Sequence, residues 1–277
     1  MPIHIRTIIA FFVMLTIPSR VLALWEAEAK FVYDSNVNRS VVEEESDTYL
    51  DALVTYNRVT DPERKLDWTL RATLEGAAYA QTQDLDFLGL SLSPAVVVLP
   101  VNWWQIRIGP FVQAKTVRDD DQTAWACGGS VNLEQLWSPS WYSGEYYAYT
   151  DSRAREETYS FTEQSAGVYV GKHWTSAFFS EIGYEYAAGE SFQTIPTATV
   201  TTITIISRGR GYRSGGYSTT FDADIVRDDV TRHSGSLTIG YAAGAFTPYL
   251  GYRYTRGKSD LGTVKTHEAS AGLRYAF

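Results

Sequence analysis

Histidine and serine occur close together at two places in this chain, and such pairs can act as general base and nucleophile in hydrolysis. His233 is followed by Ser234 and Ser236, and His267 precedes Ser270. All three offsets are odd, and residues an odd number of positions apart on a β-strand point to opposite faces. Base and nucleophile therefore cannot meet on these strands, and the sequence predicts no hydrolytic centre.

Residues suited to metal or phosphate binding are few. Cys127 is the only cysteine and there are four histidines, which excludes an intramolecular disulfide and disfavours a Cys/His zinc cluster. The acidic runs at 43–45 and 119–121 could bind divalent cations, but such runs are more typical of solvated loops. The stretch "RGRGYRSGG" lacks the strand-to-helix context and the lysine of a phosphate-binding loop. We therefore expect no cofactor and no metal site.

The clearest chemical pattern is the alternation of charged with apolar side chains. In "LDWTLRATLEGAAYA", Leu66 and Trp68 share one parity with the other apolar residues, whereas Asp67, Arg71 and Glu75 fall on the opposite parity. A strand separates two such sets onto opposite faces, while a helix would mix them around its circumference. This segment is therefore predicted to form a strand with one apolar face and one charged face.

The same alternation recurs along the chain and predicts an all-β fold. Segments of this kind joined by turns are typical of a transmembrane antiparallel up-and-down β-barrel, whose closure satisfies every backbone hydrogen bond in lipid. Beyond the N-terminal segment, no apolar run has the length of a spanning helix. Twelve strands are predicted, at 25–35, 46–58, 65–80, 86–99, 102–118, 122–136, 140–151, 158–172, 175–189, 230–243, 246–257 and 264–277.

The stretch 190–229 leaves the strand number open. "TATVTTITII" and "YSTTFDADIVR" both have strand propensity, and "SRGRGYRSGG" lies between them. In one interpretation, strands nine and ten extend beyond the membrane as a tall hairpin with a basic tip, which keeps twelve strands. In the other, two further strands make fourteen. The first is favoured because "TATVTTITII" has no clean apolar stripe for lipid.

The N-terminus has the features of a secretory signal. Arg6 precedes an apolar run from Ile8 to Ile17, and small residues precede a cleavage site at Ala23. We predict a signal peptide at 1–23 and a single barrel domain at 24–277. Loss of residues 1–23 removes Arg6, Arg20 and no acidic residue, so the net charge falls from −8 to −10. So acidic a protein is an unlikely partner for nucleic acid.

Turn lengths and tryptophans predict the orientation. If the first strand rises from the periplasm, the inner turns are short and the outer connections are longer and charged, as in bacterial outer-membrane barrels. Indole rings prefer the membrane interface. All tryptophans except Trp125 fall at the predicted periplasmic end, namely Trp25, Trp68, Trp103, Trp104, Trp137, Trp141 and Trp174. We therefore expect an integral outer-membrane protein with both termini in the periplasm.

Parity assigns a set of charged side chains to the barrel interior, because a charge facing lipid at mid-depth costs roughly 2–4 kcal/mol for Arg or Lys. Six of the set are Glu26, Glu28, Lys30, Asp51, Asp67 and Glu268. The others are predicted to line a pore: Arg71, Glu75, Arg107, Lys115, Glu134, Glu145, Glu163, Glu181, Glu185, Arg232, Arg253 and Arg274. An acidic arc from strands six to nine facing a basic arc from strands ten to twelve would favour cations in a water-filled lumen. Alternatively, these charges pair and plug the barrel.

The chain ends in "HEASAGLRYAF", an amphipathic strand that closes on Phe277. This end resembles the C-terminal strand that the bacterial outer-membrane assembly machinery recognises, and the alternation of residues 24–277 resembles outer-membrane β-barrel proteins in general. The resemblance implies that machinery, outer-membrane lipid and lipopolysaccharide as partners, and a porin-like channel for passive diffusion of small hydrophilic solutes with mild cation preference. We do not expect an enzyme, although some outer-membrane barrels are hydrolases.

The first strand leaves an alternative function open. "AKFVYDSNVNRS" also resembles the opening strand of several barrels that serve surface-polymer or lipoprotein export, which implies a non-conducting barrel that assists an export partner. The same residues are also consistent with an Asp/Asn-rich turn after the first strand, and this turn is the favoured interpretation. Neither interpretation predicts the oligomeric state.

Overall fold

Antiparallel strands form nearly all of the regular structure. The computed structural model describes residues 23–58, 60–61, 63–195 and 213–277. Their strands are β1 (Ala23–Asp34), β2 (Asp47–Arg58), β3 (Leu66–Tyr79), β4 (Phe87–Val101), β5 (Trp104–Val117), β6 (Ala124–Ser138), β7 (Trp141–Ala154), β8 (Phe161–His173), β9 (Phe178–Ile195), β10 (Arg213–Ser218), β11 (Ala223–Tyr241), β12 (Phe246–Lys258) and β13 (Thr263–Ala276). The predicted signal peptide lies, apart from Ala23, outside the described residues and stays a prediction.

The sheet closes on itself as a twelve-strand barrel. β1 pairs with β2 on one side and with β13 on the other, from Glu26 opposite Ala276 to Asp34 opposite Glu268. β9 pairs directly with β11, and the short β10 lies outside the ring, paired with the start of β11. The predicted twelve-strand, all-β barrel is therefore confirmed.

The hairpin of β9 and β11 is taller than the rest of the barrel. The two strands stay paired from Phe178 opposite Tyr241 up to Ile195 opposite Asp224. This extension agrees with the prediction of twelve strands, two of which continue past the membrane. Part of the predicted basic tip falls on residues 196–212, which lie outside the described residues.

The two ends of the barrel differ. The end that carries both termini has the short turns between consecutive strands, and we call it the turn end; the opposite end, with the longer connections, is the loop end. At the turn end, the indole N–H groups of Trp137 and Trp174 donate to Ser143 Oγ and Ser180 Oγ at 2.8 and 2.9 Å. Lys172 Nζ lies 3.9 Å from the Trp174 ring centroid. Rings that face outward while their N–H groups are satisfied suit a membrane interface.

The outer face is apolar and exposed. Phe31, Ile182 and Leu250 are 69%, 64% and 63% exposed, and many other large apolar side chains share their outward parity. Exposed apolar area costs roughly 25 cal/mol per Å² in water. A surface of this composition is stable only against hydrocarbon, and it matches the lipid-facing band of a membrane barrel.

The inner face is lined in part by aromatic rings that lie flat against glycines of the next strand. Tyr142 is directly opposite Gly171, and Tyr146 is directly opposite Gly167. A Cβ atom at Gly171 would lie 2.0 Å from the Tyr142 ring, and one at Gly167 would lie 2.4 Å from the Tyr146 ring. Only glycine allows this close approach, which keeps both rings against the wall.

Candidate functional site

The charged side chains predicted to face inward do so, with one exception. Several of their contacts skip a strand: Arg232 on β11 forms an ion pair with Glu163 on β8, and Tyr142 on β7 donates to Glu181 on β9 at 3.1 Å. Such contacts across an intervening strand form only on the concave side of a barrel wall. Register places the same parity on the inner face for Glu26, Glu28, Lys30, Asp51, Asp67, Arg71, Glu75, Arg107, Lys115, Glu134, Glu185, Arg253, Glu268 and Arg274.

Glu145 is the exception and corrects the predicted pore lining. It lies opposite Leu133 on β6 and Val168 on β8, which both face outward, and it is itself exposed on the outer face. Gln135 Nε2 donates to its carboxylate at 3.3 Å, and Ser143 lies beside that glutamine. This polar group sits near the turn end, where a carboxylate on the lipid side costs far less than at mid-depth.

Part of the interior charge is paired. Arg274 Nε lies 2.8 Å from Glu26 Oε1 and 3.0 Å from Glu28 Oε2. Lys30 Nζ lies 3.0 Å from Asp51 Oδ2. With the pair of Arg232 and Glu163, these contacts neutralise several interior carboxylates. The contact of Arg232 with Glu163 joins a member of the predicted basic arc to a member of the acidic arc, whereas Arg274 pairs with carboxylates of β1.

Among the described residues, no cation lies at contact distance from the carboxylates of Glu181 and Glu185. Their hydrogen-bond partners are the hydroxyls of Tyr142 and Tyr146, which are neutral donors. In the part of the chain that the structure describes, neither carboxylate forms an ion pair, so they are not the partners of Arg232, Arg253 or Arg274. The aromatic rings held against Gly171 and Gly167 thus position two anionic groups on the inner wall.

The loop between β1 and β2, residues 35–46, folds inward over the barrel. The Asn36 N–H donates to Asp34 Oδ1 at 2.8 Å, an Asx turn that agrees with the predicted Asp/Asn-rich turn. Arg39 adopts a left-handed conformation with φ 52° and donates from Nη1 to Ser191 Oγ on β9 at 2.9 Å. Ser40 forms a bridge with Thr194. The loop therefore reaches across the mouth to the tall hairpin.

Arg39 is a functional candidate that sequence reasoning missed. Its guanidinium lies 4.8 Å from the centroid of the Phe192 ring and faces the interior. The surrounding barrel wall reduces the hydration of the Arg39 guanidinium and lowers its pKa, and the positive charge of Arg232 lowers it further, although the residue stays exposed to the mouth. The "NVNRS" motif is consistent with a turn, but nothing in it indicates the inward direction of the loop.

A hydrophobic cluster covers the loop end. Leu85 comes from the β3–β4 loop, Tyr159 from the β7–β8 loop, and Phe221 and Ile225 from the β10–β11 hairpin. Val37 of the β1–β2 loop packs against them. These loops leave the barrel at widely separated points of its rim, so side chains that contact one another must meet over the central axis. We call this cluster, Leu85, Tyr159, Phe221 and Ile225, the lid.

Polar contacts join the loops that form the lid. Thr220 Oγ1 at the tip of the hairpin donates to Asp119 Oδ2 of the β5–β6 loop at 2.7 Å. The Tyr159 hydroxyl donates to Ser218 Oγ at 3.0 Å, and burial raises the pKa of Tyr159 to about 12, so it stays a donor at neutral pH. These hydrogen bonds connect the hairpin to two separate loops.

Asp47 organises a further loop at the rim. The backbone N–H groups of Gln81 and Thr82 donate to its carboxylate at 3.1 and 2.8 Å. Burial would raise the pKa of Asp47, but these amides and that of Thr48 outweigh it and hold the pKa below its ordinary value. Stabilisation of this loop is thus complete above the ordinary carboxyl pKa and is lost as the pH falls through the lowered one.

A cavity of about 420 Å³ lies below the lid. Tyr79, Leu85 and Phe221 are among its apolar wall residues, and Arg39 projects from the first loop. Charged side chains from strands all around the barrel complete the lining: Asp34, Lys115, Glu185, Arg232, Arg253 and Glu268. The space is therefore a polar compartment of the barrel lumen, with cations and carboxylates both in contact with it.

The His and Ser pairs do not form a catalytic site. His233 and His267 face outward, whereas Ser234, Ser236 and Ser270 have the opposite, inward parity. Each imidazole Nδ1 is instead hydrogen-bonded to a tyrosine hydroxyl. In the described residues, no group of three or more His, Cys, Asp and Glu side chains is arranged to hold a metal ion, and none of the helices found there could cross a membrane.

The fold defines the class of the protein: it has the fold of outer-membrane β-barrel proteins. Solved structures similar to it include an outer membrane channel of Pseudomonas putida F1, with TM-score 0.61 and 10% identity over 94% of this chain and 97% of that one. The KdgM porin in complex with disordered oligogalacturonate has TM-score 0.52 and 8% identity over 91% and 99%. The NanC porin has TM-score 0.52 and 12% identity over 90% and 98%.

These similarities establish the fold and leave the particular family open. No protein-family model matches the chain, and no curated protein matches it. The three structures named above are porins or channels.

Proposed function

We propose that this protein is a porin-like channel through which small hydrophilic solutes diffuse passively across the outer membrane. The observation that carries the proposal is the charged, cavity-containing interior below the lid, where side chains from the whole circumference reach a common polar space. A barrel whose only role was structural would have no need of so many charges on its inner face. The porin and channel folds of the similar structures support the same function.

We further propose that the channel prefers cations mildly. Carboxylates outnumber cations among the interior side chains, and Glu181 and Glu185 bind only neutral hydroxyls in the described structure. Unpaired charges on a channel wall attract counter-ions and repel co-ions. The ion pairs of Arg232 and Arg274 cancel part of the remaining field, which keeps the preference small.

The lid makes passage conditional in this proposal. Loop contacts that rest on four buried side chains and a few hydrogen bonds are among the weaker interactions of the molecule, and loops of this kind open on a timescale of microseconds and longer. Solutes would enter when the hairpin and the loops separate. The structure then corresponds to the closed arrangement of the channel.

Planar-bilayer recording of the refolded protein without residues 1–23 tests this function. We expect discrete current steps that close and reopen, with a reversal potential that indicates a modest preference for K⁺ over Cl⁻ in a salt gradient. A correctly folded barrel, identified by its heat-modifiable band on a gel, that never conducts would refute the channel and support a closed barrel with another role.

The loop end is proposed to face the outside and both termini the periplasm. The prediction uses single cysteines in a Cys127→Ser background, at Asp121 in the β5–β6 loop or at Pro139 in the β6–β7 turn; both native residues are exposed. We expect an impermeant thiol reagent to label the Asp121→Cys protein on intact cells and the Pro139→Cys protein only after the outer membrane is opened. The reverse pattern would invert the barrel.

A further inference from the structure

A row of basic side chains crosses the outer face at the loop end of β11, β12 and β13. His233 lies directly opposite Arg256, and Arg256 lies directly opposite Lys265. All three side chains are exposed, as is Lys258 two residues beyond Arg256. Side chains directly opposite one another in an antiparallel pair have Cβ atoms about 5 Å apart, so the permanent charges of Arg256 and Lys265 repel each other. An anion in contact with both side chains would relieve this repulsion.

The basic row has no carboxylate partners, unlike other basic residues of the same rim. Arg153 Nε lies 2.8 Å from Asp151 Oδ1, and Arg118 lies 3.9 Å from both Asp84 and Asp86. Within the described ranges, Arg256, Lys258 and Lys265 form no ion pair. The nearest exposed carboxylate of outward parity on β11, Asp229, is two residues from Thr231, which lies opposite Lys258, so Arg256 and Lys265 remain open to an anion from outside the chain.

Two imidazoles adjoin Arg256 and Lys265, and tyrosine side chains lie beside those imidazoles. His267 is directly opposite Tyr254, and its Nδ1 is hydrogen-bonded to the Tyr252 hydroxyl at 2.8 Å. His233 Nδ1 is bonded in the same way to the Tyr184 hydroxyl at 2.6 Å. When the hydroxyl donates to Nδ1, the imidazole proton is on Nε2, where it can be donated to an anion. Tyrosine is also enriched at membrane interfaces.

An apolar groove of about 600 Å³ lies on the outer face of β11, β12, β13 and β1, with Phe178 of β9 at one edge. Phe31, Ile239, Leu250 and Leu273 are among the residues that line it, together with the smaller Ala29 and Ala271. Six residues separate Leu250 from Arg256, which is roughly 20 Å along a strand. The groove extends from the turn end to about the middle of these strands, so from the turn end to the loop end the outer face changes from an apolar groove to an aromatic row and then to a basic row.

We propose that this face binds a phosphorylated glycolipid of the outer leaflet. Its phosphate groups would contact Arg256, Lys265 and the two imidazoles, and one acyl chain would lie in the groove. The three successive zones match the phosphate, interface and hydrocarbon regions of a single lipid, whereas a free anion would make no use of the groove. The assignment of this lipid to the outer leaflet rests on the proposed orientation, in which the loop end faces outside. The contacts between the lipid and the protein do not require that the barrel conducts.

The test uses the purified barrel in nanodiscs that contain lipid A as the probe, with native mass spectrometry to count retained lipid. We expect the wild-type protein to retain lipid A with two phosphates, and Arg256→Gln/Lys265→Gln to bind it about tenfold more weakly, because charge-assisted contacts are lost. Arg118→Gln/Arg153→Gln is the matched control on the same rim and should change the affinity less than about twofold, since those arginines already have partners.

Three results would overturn the proposal. They are equal retention by the Arg256→Gln/Lys265→Gln variant and the wild type, equal retention of dephosphorylated lipid A, and displacement of lipid A by inorganic phosphate at millimolar concentration. The heat-modifiable band of each variant verifies folding before binding is compared. Channel recordings of the same variants separate the two proposals, because loss of lipid binding with normal current steps leaves the channel intact.

Discussion

Covalent locking of the lid is expected to reduce the channel conductance at least about tenfold. Thr220 and Asp119 are in hydrogen-bond contact between the hairpin tip and the β5–β6 loop. Thr220→Cys and Asp119→Cys in a Cys127→Ser background would allow a disulfide or a short bifunctional thiol reagent to join them. A lid that cannot separate keeps the cavity closed to solutes, and current should return when the disulfide is reduced.

A second cysteine pair controls for cross-linking itself. Gln135 and Ser143 are directly opposite on β6 and β7, on the outer face near the turn end. Gln135→Cys/Ser143→Cys, joined in the same way, should conduct like the uncross-linked protein because the wall there does not move. Full conductance of the locked lid would mean that solutes do not pass between the hairpin and the loops, and the lid would then have no gating role.

Removal of the two wall carboxylates should lower the cation selectivity. A unit charge about 7 Å from an ion in water contributes roughly 0.6 kcal/mol, or about threefold in local ion concentration. We therefore expect Glu181→Gln/Glu185→Gln to reduce the K⁺ to Cl⁻ permeability ratio severalfold while the folded band stays as heat-resistant as the wild type. Glutamine can still accept from the hydroxyls of Tyr142 and Tyr146.

Glu145→Gln is the matched control for this measurement. It removes the same charge from the same quarter of the barrel, but on the outer face. Its selectivity should be that of the wild type. If Glu181→Gln/Glu185→Gln left selectivity unchanged and lost heat resistance, these carboxylates would be structural groups in a sealed interior and not part of a conduction pathway.

Sequence periodicity predicted most of the barrel wall, including both ends of most strands to within a few residues. The reason is local: each strand must present apolar groups to lipid and polar groups inward, so every segment carries the same period of two. The extension of β9 and β11 also followed from the sequence, because "TATVTTITII" has no apolar stripe and therefore does not suit a lipid-facing strand.

The error at Glu145 shows where periodicity is ambiguous. In "WYSGEYYAY", Trp141 and Tyr147 face outward while Tyr142 and Tyr146 face inward. Both parities are aromatic, so the stripe does not distinguish the faces, and the assumption that every charge faces water assigned this residue wrongly. The register with β6 and β8 decides its side.

The sequence by itself determined the class of fold and the parity of nearly all interior charges, because those depend on spacing within single strands, and it favoured twelve strands over fourteen. The tertiary structure alone decided how the mouth is arranged. The inward course of Arg39, the meeting of Leu85, Tyr159 and Phe221, and the row from His233 to Lys265 each join segments far apart in the chain. Such contacts follow from barrel closure and strand register, which bring loops from all around the rim to one axis and set which side chains become neighbours.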